Sequence, residues 1–282
     1  ASNMKLFSDA AALIALGPNY RFQTELSTNA HRLEDGTLNG NIYLYLPGDP
    51  SLTTQNIKKL FASLKHWGIQ RIKGNIILVS ERQYIDPYAS GWTKRDLMYS
   101  YGAPLAPVVL DENRMVVTVN PGATSGSDAV IETSPKSNGI QLNNEVTTKA
   151  QTKGCGLSYR MDQKNVLHVR GCIGLGQWSA QQGLAIQNPA QYATEQIKYS
   201  LKNVDVTLNG DIKFGKKPER ALLLAKHQSK TIAELIADTM KTSDNLYADS
   251  LFLHTAATLS GKPANWSKAK SVVRKFLSKE TG

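Results

Sequence analysis

The stretch from Met4 to Leu16, MKLFSDAAALIAL, is apolar on nearly every side and stops at Gly17-Pro18, as helices do. A helix that is hydrophobic all round belongs inside a protein, not on its surface. The same stretch holds Lys5, a cation where a cation is expensive, with Ser2 three residues before it. A lysine withdrawn from water is pushed toward the neutral amine, which can take a proton from a serine hydroxyl. A nucleophile can be built in this way without histidine. The bland alternative makes Ser2 the helix N-cap and sends the Lys5 stem out to water. A second S-x-x-K string, Ser267-Lys268-Ala269-Lys270, illustrates that alternative. There Ala269, Val272, Val273 and Phe276 form one stripe, and Lys268, Lys270, Arg274 and Lys275 crowd a solvated face.

Ser243-Asp244-Asn245 lies between two further helical stretches. TIAELIADTMK carries Ile232, Leu235, Ile236 and Met240 on one face, and LYADSLFLHTAATL runs from Leu246 to Leu259 before Gly261. A break of this kind can project a hydroxyl and an amide into a cleft. It also fits a plain N-cap serine with turn residues, since Ser, Asp and Asn all favour helix starts. The looser S-x-N pattern recurs at Ser27-Thr28-Asn29, so the order and company of the motifs carry the information.

With those motifs in that order, the chain resembles the low-molecular-mass class C penicillin-binding proteins, the D-Ala-D-Ala carboxypeptidase/endopeptidase type. They are part of the superfamily of penicillin-binding proteins and serine β-lactamases, whose signatures are S-x-x-K, S-x-N and K-T-G. The wording agrees at ASNMKLFSDAAALIALGPNYRFQT from Ala1, GDPSL from Gly48, GWTKRDLMYSYGAP from Gly91 and KTSDNLYADSLF from Lys241. The resemblance implies an α/β (α+β) fold, a transpeptidase-like domain interrupted by inserted β-rich domains. It implies a serine DD-peptidase that cleaves peptidoglycan stem peptides through an acyl-enzyme, is inhibited by β-lactams, and needs no cofactor or metal. Ser2 would be the nucleophile, Lys5 its proton acceptor, Ser243 the relay to the leaving D-alanine, and Asn245 a ligand of the substrate amide. Asp96 and Tyr101 match a family carboxylate and its aromatic neighbour at the rim of the site, where the carboxylate would pair with a diaminopimelate ammonium. Their bland alternative is a surface salt bridge to Lys94 or Arg95 and a core tyrosine. A β-lactamase or esterase of the same fold, and a non-catalytic wall-binding fragment, are the competing functions.

Two departures stand out. K-T-G is absent: the chain ends in Lys279-Glu280-Thr281-Gly282, closing an amphipathic helix, where the family has a strand. Ala1 also immediately precedes Ser2. Both lead to the expectation of a truncated chain.

A net charge of +10 favours acidic surroundings, such as the bacterial wall or an anionic lipid surface. The basic residues are scattered and form no nucleic-acid-binding motif, so nucleic acid is not expected as a partner. No apolar run reaches the ~18 residues of a membrane span. A bacterial cell-envelope location, periplasmic or otherwise extracytoplasmic, follows from the resemblance, with peripheral membrane or wall association open.

Cys155 and Cys172 lie at equal distances from the midpoint of CGLSYRMDQKNVLHVRGC, with Asp162 to Asn165 as the turn. Folded as a symmetric hairpin, the two face each other across a non-hydrogen-bonded pair that a disulfide can span. Two reduced buried cysteines are the alternative; clustered metal ligands are lacking. An oxidised pair would place the chain in an oxidising compartment.

Elsewhere GNIYLYL, a helix from Asn56 to Trp67 and IKGNIILVS read as a β-α-β unit. The phrases LNGNI, IKGNI and LNGDI reuse one turn type without a fixed period. The expected division joins 1–25 with 226–282 as the catalytic domain and 26–112 with 186–225 as an inserted α/β domain. Residues 113–185 form a second, β-rich insertion. The histidines at 31, 66, 168, 227 and 254 have no triad context.

Overall fold

The computed structural model describes residues 2–80, 82, 86–136 and 139–282. In chain order the first elements are α1 (Met4–Leu16), β1 (Gln23–Thr28), β2 (Leu33–Glu34), β3 (Thr37–Leu38), β4 (Ile42–Leu46), α2 (Thr54–His66), β5 (Arg71–Ile72) and β6 (Ile76–Ser80). Then come β7 (Arg114–Asn120), β8 (Val130–Ser134), β9 (Gln141–Lys149), β10 (Leu157–Met161), β11 (Val166–Gly174) and β12 (Ala180–Ala185). The remainder is α3 (Pro189–Asn203), β13 (Thr207–Leu208), β14 (Ile212–Phe214), β15 (Leu222–Gln228), α4 (Ile232–Thr242), α5 (Asn245–Ser260) and α6 (Trp266–Thr281). Two compact units result: Ala1–Ser90 with Leu105–Glu112 and Ile197–Gly282, and Gly91–Pro104 with Asn113–Gln196.

The first unit is built on a five-stranded sheet in the order β14-β6-β4-β1-β15. Strands β4 and β6 are parallel, as the β-α-β reading expects, with α2 as the crossover. Helix α2 starts on a capping box at Thr53 and Asn56 and buries Ile57, Leu60, Phe61 and Leu64, an i, i+3, i+4, i+7 stripe.

The three recurring phrases lie side by side. Strands β3, β5 and β13 run parallel in one small sheet, and each chain then crosses into β4, β6 and β14 of the large one. A chain of side-chain acceptors locks the crossings together. Asn29 Oδ1 accepts from Asn41 N at 2.9 Å, Asn41 Oδ1 from Asn75 N at 2.8 Å, and Asn75 Oδ1 from Asp211 N at 2.9 Å. Asn29, from the stray S-x-N string, thus belongs to this ladder. The glycines are needed because the crossings nearly touch: a Cβ on Gly74 would stand 2.4 Å from Gly40 O, and one on Gly210 2.3 Å from Gly74 O. Gly74→Ala should therefore destabilise the chain by about 1–3 kcal/mol, as overpacking against backbone does. Urea unfolding checks this, and a wild-type midpoint would refute the ladder as the reason for the repeat.

The second unit holds two three-stranded sheets, β12-β7-β8 and β10-β11-β9. Alternate residues Met115, Val117 and Val119 of β7 pack with Val146, Leu167, Val169 and Ile173 to form its core. Cys155 and Cys172 are bonded, with Cα atoms 5.0 Å apart. The hairpin is not the symmetric one expected, however. Leu157 pairs with Gly171 and Tyr159 with Val169, one residue off the mirror that would set the cysteines opposite. Cys155 precedes β10 and is held by a turn, its N–H donating to Thr152 O, while Cys172 N donates to Gly156 O. The register follows from the turn: Asp162 N donates to Val166 O, which leaves a three-residue loop, 163–165, with Asn165 left-handed at φ 56° where a four-residue turn was expected.

Candidate active site

Helix α1 does not use Ser2 as its cap. The N-cap residue is Asn3, with no side-chain hydrogen bond, and the exposed Ser2 hydroxyl instead meets Ser243 Oγ at 2.8 Å. Lys5 does not reach for water either. The residue is 8% exposed, and Nζ donates to Ser243 O at 2.8 Å and to Ser243 Oγ at 3.1 Å. Among the described residues it has no hydrogen bond to Ser2 itself, so Ser243 is the hub where a direct Ser2–Lys5 contact was expected.

The break between α4 and α5 explains how one serine serves both partners. Helix α4 begins on the Thr231–Glu234 capping box and ends at Ser243, whose φ of 56° and ψ of 41° are left-handed. Glycine is the usual occupant of such a helix end, because a Cβ there is strained. The turn aims both the carbonyl and the hydroxyl of Ser243 at Lys5. Asp244, not Ser243, is the N-cap of α5; its carboxylate accepts from Tyr247 N at 3.0 Å. Asn245 follows as the first helical residue, half-buried.

Two acids surround Lys5 that the motifs do not contain. Asp9, one turn along α1, is 3% exposed, and neither carboxylate oxygen has a hydrogen-bond partner among the described residues. The neighbouring Ser8 hydroxyl is donated to Lys5 O. Burial pushes the Asp9 carboxyl up to about 6, against the pull of the Lys5 charge. Asp249, one turn beyond Asn245 on α5, keeps part of its surface accessible. Even so, the protein crowding its carboxyl pushes it up to about 7, again against Lys5 and helped by Asp244. Asp9 was visible in the sequence as the one acid of an apolar helix, at i+4 from Lys5. Asp249 gave no such signal.

Helix α1 packs on α5, α4 and α6 and buries Lys5, Asp9, Ala11 and Ala12. Its opposite face is open, with Met4 66%, Phe7 58% and Ile14 52% exposed, which corrects the expectation of burial on every side. The described residues supply a layer against one side of the helix only. His254 of α5 is a core residue: its ring bonds Tyr20 Oη at 2.8 Å, and burial holds it near 3. The second S-x-x-K string lies on α6 with Ser267 and Lys270 exposed, and the K-x-T-G string ends that helix.

Asp96 and Tyr101 form a separate cluster in the second unit. Asp96 Oδ2 accepts from Thr93 N at 2.9 Å and Thr93 Oγ at 2.6 Å, and Oδ1 from Tyr101 Oη at 3.0 Å. The Thr93 hydroxyl, followed by its N–H and by Tyr101, holds the carboxyl below the usual carboxylate range. Among the described residues Asp96 pairs with no lysine or arginine, so neither Lys94 nor Arg95 is its ion-pair partner. Tyr101 is 48% exposed, not a core residue, and its ring stacks on Tyr99 with centroids 5.7 Å apart. Asp96 is thus a preorganised anion beside an accessible aromatic face.

The sequence profile of the D-Ala-D-Ala carboxypeptidase 3 (S13) family matches residues 1–282. A D-alanyl-D-alanine carboxypeptidase of Haemophilus influenzae is 30% identical over 282 residues, 99% of this chain and 58% of its own length. One from an Actinomadura species is 26% identical over 263 residues, 89% of this chain and 48% of its own. The crystal structure of penicillin binding protein 4 from Haemophilus influenzae superposes with a TM-score of 0.86 at 29% identity, covering 100% of this chain and 62% of that one. The same protein complexed with a β-lactam superposes at 0.78 and 28% identity, covering 100% of this chain and 61% of that one. This chain therefore spans about three-fifths or less of the length of these relatives. With the family profile matched along its whole length, the chain belongs to the D-Ala-D-Ala carboxypeptidase 3 (S13) family of peptidases.

Proposed function

We propose that these residues carry the acylation centre of a serine DD-peptidase acting on peptidoglycan stem peptides. The observation that carries this reading is the continuous chain Ser2 Oγ–Ser243 Oγ–Lys5 Nζ, at 2.8 and 3.1 Å, with an open hydroxyl end and a buried amine end. With Lys5 as the free amine, Ser2 Oγ attacks the carbonyl of the penultimate D-alanine and its proton passes through Ser243 to Lys5. The tetrahedral adduct collapses, Ser243 returns the proton to the departing D-alanine nitrogen, and water later hydrolyses the ester. Asn245 would orient the substrate amide. Asp96, held as an anion, would receive the ammonium of a diaminopimelate side chain, with Tyr101 as the apolar wall beside it.

β-Lactams fit the same serine as slowly released acylating agents, and the family's relatives make them expected ligands. The disulfide and the family point to the bacterial cell envelope, with the periplasm as the finer assignment. No described helix is long and apolar enough to cross a membrane. In this scheme 1–25 and 226–282 form the catalytic domain, and 26–112 with 186–225, and 113–185, the insertions. Release of D-alanine from a peptide ending in D-Ala-D-Ala, lost in Ser2→Ala, tests the reading. Turnover of penicillin faster than of that peptide would favour a β-lactamase instead.

A further inference from the structure

The GDPSL loop and Arg82 take no part in the proposed chemistry, yet they enclose two buried oxygens that have no hydrogen-bond partner among the described residues. Thr24 of β1 is fully buried, and its hydroxyl has no hydrogen bond among the described residues. Asp49 is 3% exposed; Oδ1 accepts from Ser51 N at 2.8 Å and Ser51 Oγ at 2.7 Å, while Oδ2 accepts from nothing described. Both residues line one cavity together with Gly48, Arg82 and Pro107, and the room open to the centre of a water molecule is about 10 Å³. Buried polar atoms are rarely left unpaired. A buried water needs about 10–15 Å³ of such room and two to four polar partners, which matches this void.

We propose that the cavity holds one resident water, which accepts from the Thr24 hydroxyl and donates to Asp49 Oδ2. A metal cation is disfavoured because the Arg82 guanidinium forms part of the same wall. The water completes a tether to the helix that presents the site. Arg82 donates through Nη1 to Ser250 Oγ at 2.7 Å and through Nη2 to Ser250 O at 2.9 Å, and Ser250 Oγ donates to Gly48 O at 2.9 Å. Ser250 is on α5, which begins at Asn245. The tether thus runs from β1 through the water to the GDPSL loop, and from there to α5.

A crystal structure of the chain that resolves ordered solvent decides the matter, independently of any activity. The expected result is a single density peak within hydrogen-bond distance of both Thr24 Oγ1 and Asp49 Oδ2. The same peak should appear in Thr24→Ser and be lost in Thr24→Val, whose melting temperature should fall by a few degrees. An empty cavity, a direct Thr24–Asp49 hydrogen bond, or a peak with the short multiple oxygen contacts of a cation would overturn the proposal. So would a water that stays at full occupancy in Thr24→Val, because Thr24 would then not be its partner.

Discussion

Replacing Ser243 by glycine should leave the fold as stable as before, or slightly more so, while slowing acylation by about 10²–10⁴-fold. The backbone there is left-handed, a conformation that costs a non-glycine residue about 1 kcal/mol or more and a glycine almost nothing. The extra freedom of glycine in the unfolded chain offsets part of that gain. Glycine also keeps the carbonyl that accepts from Lys5. What it removes is the hydroxyl that touches both Ser2 and Lys5. Ser243→Ala removes the same hydroxyl without relieving the backbone, so it should be equally slow and less stable than the glycine variant. Thermal melts and the acylation rate with a chromogenic β-lactam separate the two effects. A Ser243→Gly chain that acylates at near wild-type rate would eliminate the relay.

Asp9→Asn should stabilise the chain at pH 8 and do little at pH 4. The folded carboxyl is held near 6 by burial, above the 3.8 of an unperturbed aspartate. Below 3.8 the folded and unfolded chains are both protonated and burial carries no ionisation cost. As pH rises the unfolded chain releases its proton first, so stability falls until the folded carboxyl has ionised as well. From 3.8 to about 6, at 1.36 kcal/mol per pH unit, the loss amounts to roughly 3 kcal/mol, complete above pH 7. Asparagine has no proton to lose and nearly the same shape. Urea unfolding of both chains at pH 4 and pH 8 measures the difference. Equal stability at pH 8 would show that Asp9 is solvated or paired in solution.

Local signals in the sequence were reliable where a residue's neighbours along the chain decide its state. The stop at Gly17-Pro18, the stripe of α2, the β-α-β unit and the helix break at 243–245 were all legible. The cysteine pair was legible as well, but its exact facing was not. A mirror drawn on the sequence places Cys155 opposite Cys172, whereas a three-residue loop, 163–165, in place of the four-residue turn sets the register one residue off. Hydrophobic periodicity does not tell a three-residue loop from a four-residue one. The repeated L-N-G-N-I phrase was visible as a turn, but its reason, three crossings stacked closely enough to exclude a Cβ, is tertiary.

The centre shows the same division. Residue types and order singled out Ser2, Lys5 and Ser243, but not which atom touches which. Ser243 becomes the hub because its left-handed backbone turns two oxygens toward one amine, and φ is not written in a serine. The apolar composition of α1 suggested burial on all sides, yet Met4, Leu6 and Phe7 are more than half exposed. Composition gives a helix's capacity for burial, and the layers around it determine how much is used.

Intact-mass spectrometry after incubation with benzylpenicillin tests the central claim, that Ser2, Ser243 and Lys5 form a working acylation centre. One covalent adduct per chain is expected, absent in Ser2→Ala and strongly slowed in Ser243→Gly. A folded chain that takes no adduct, or one that keeps its adduct when Ser2 is alanine, would contradict it.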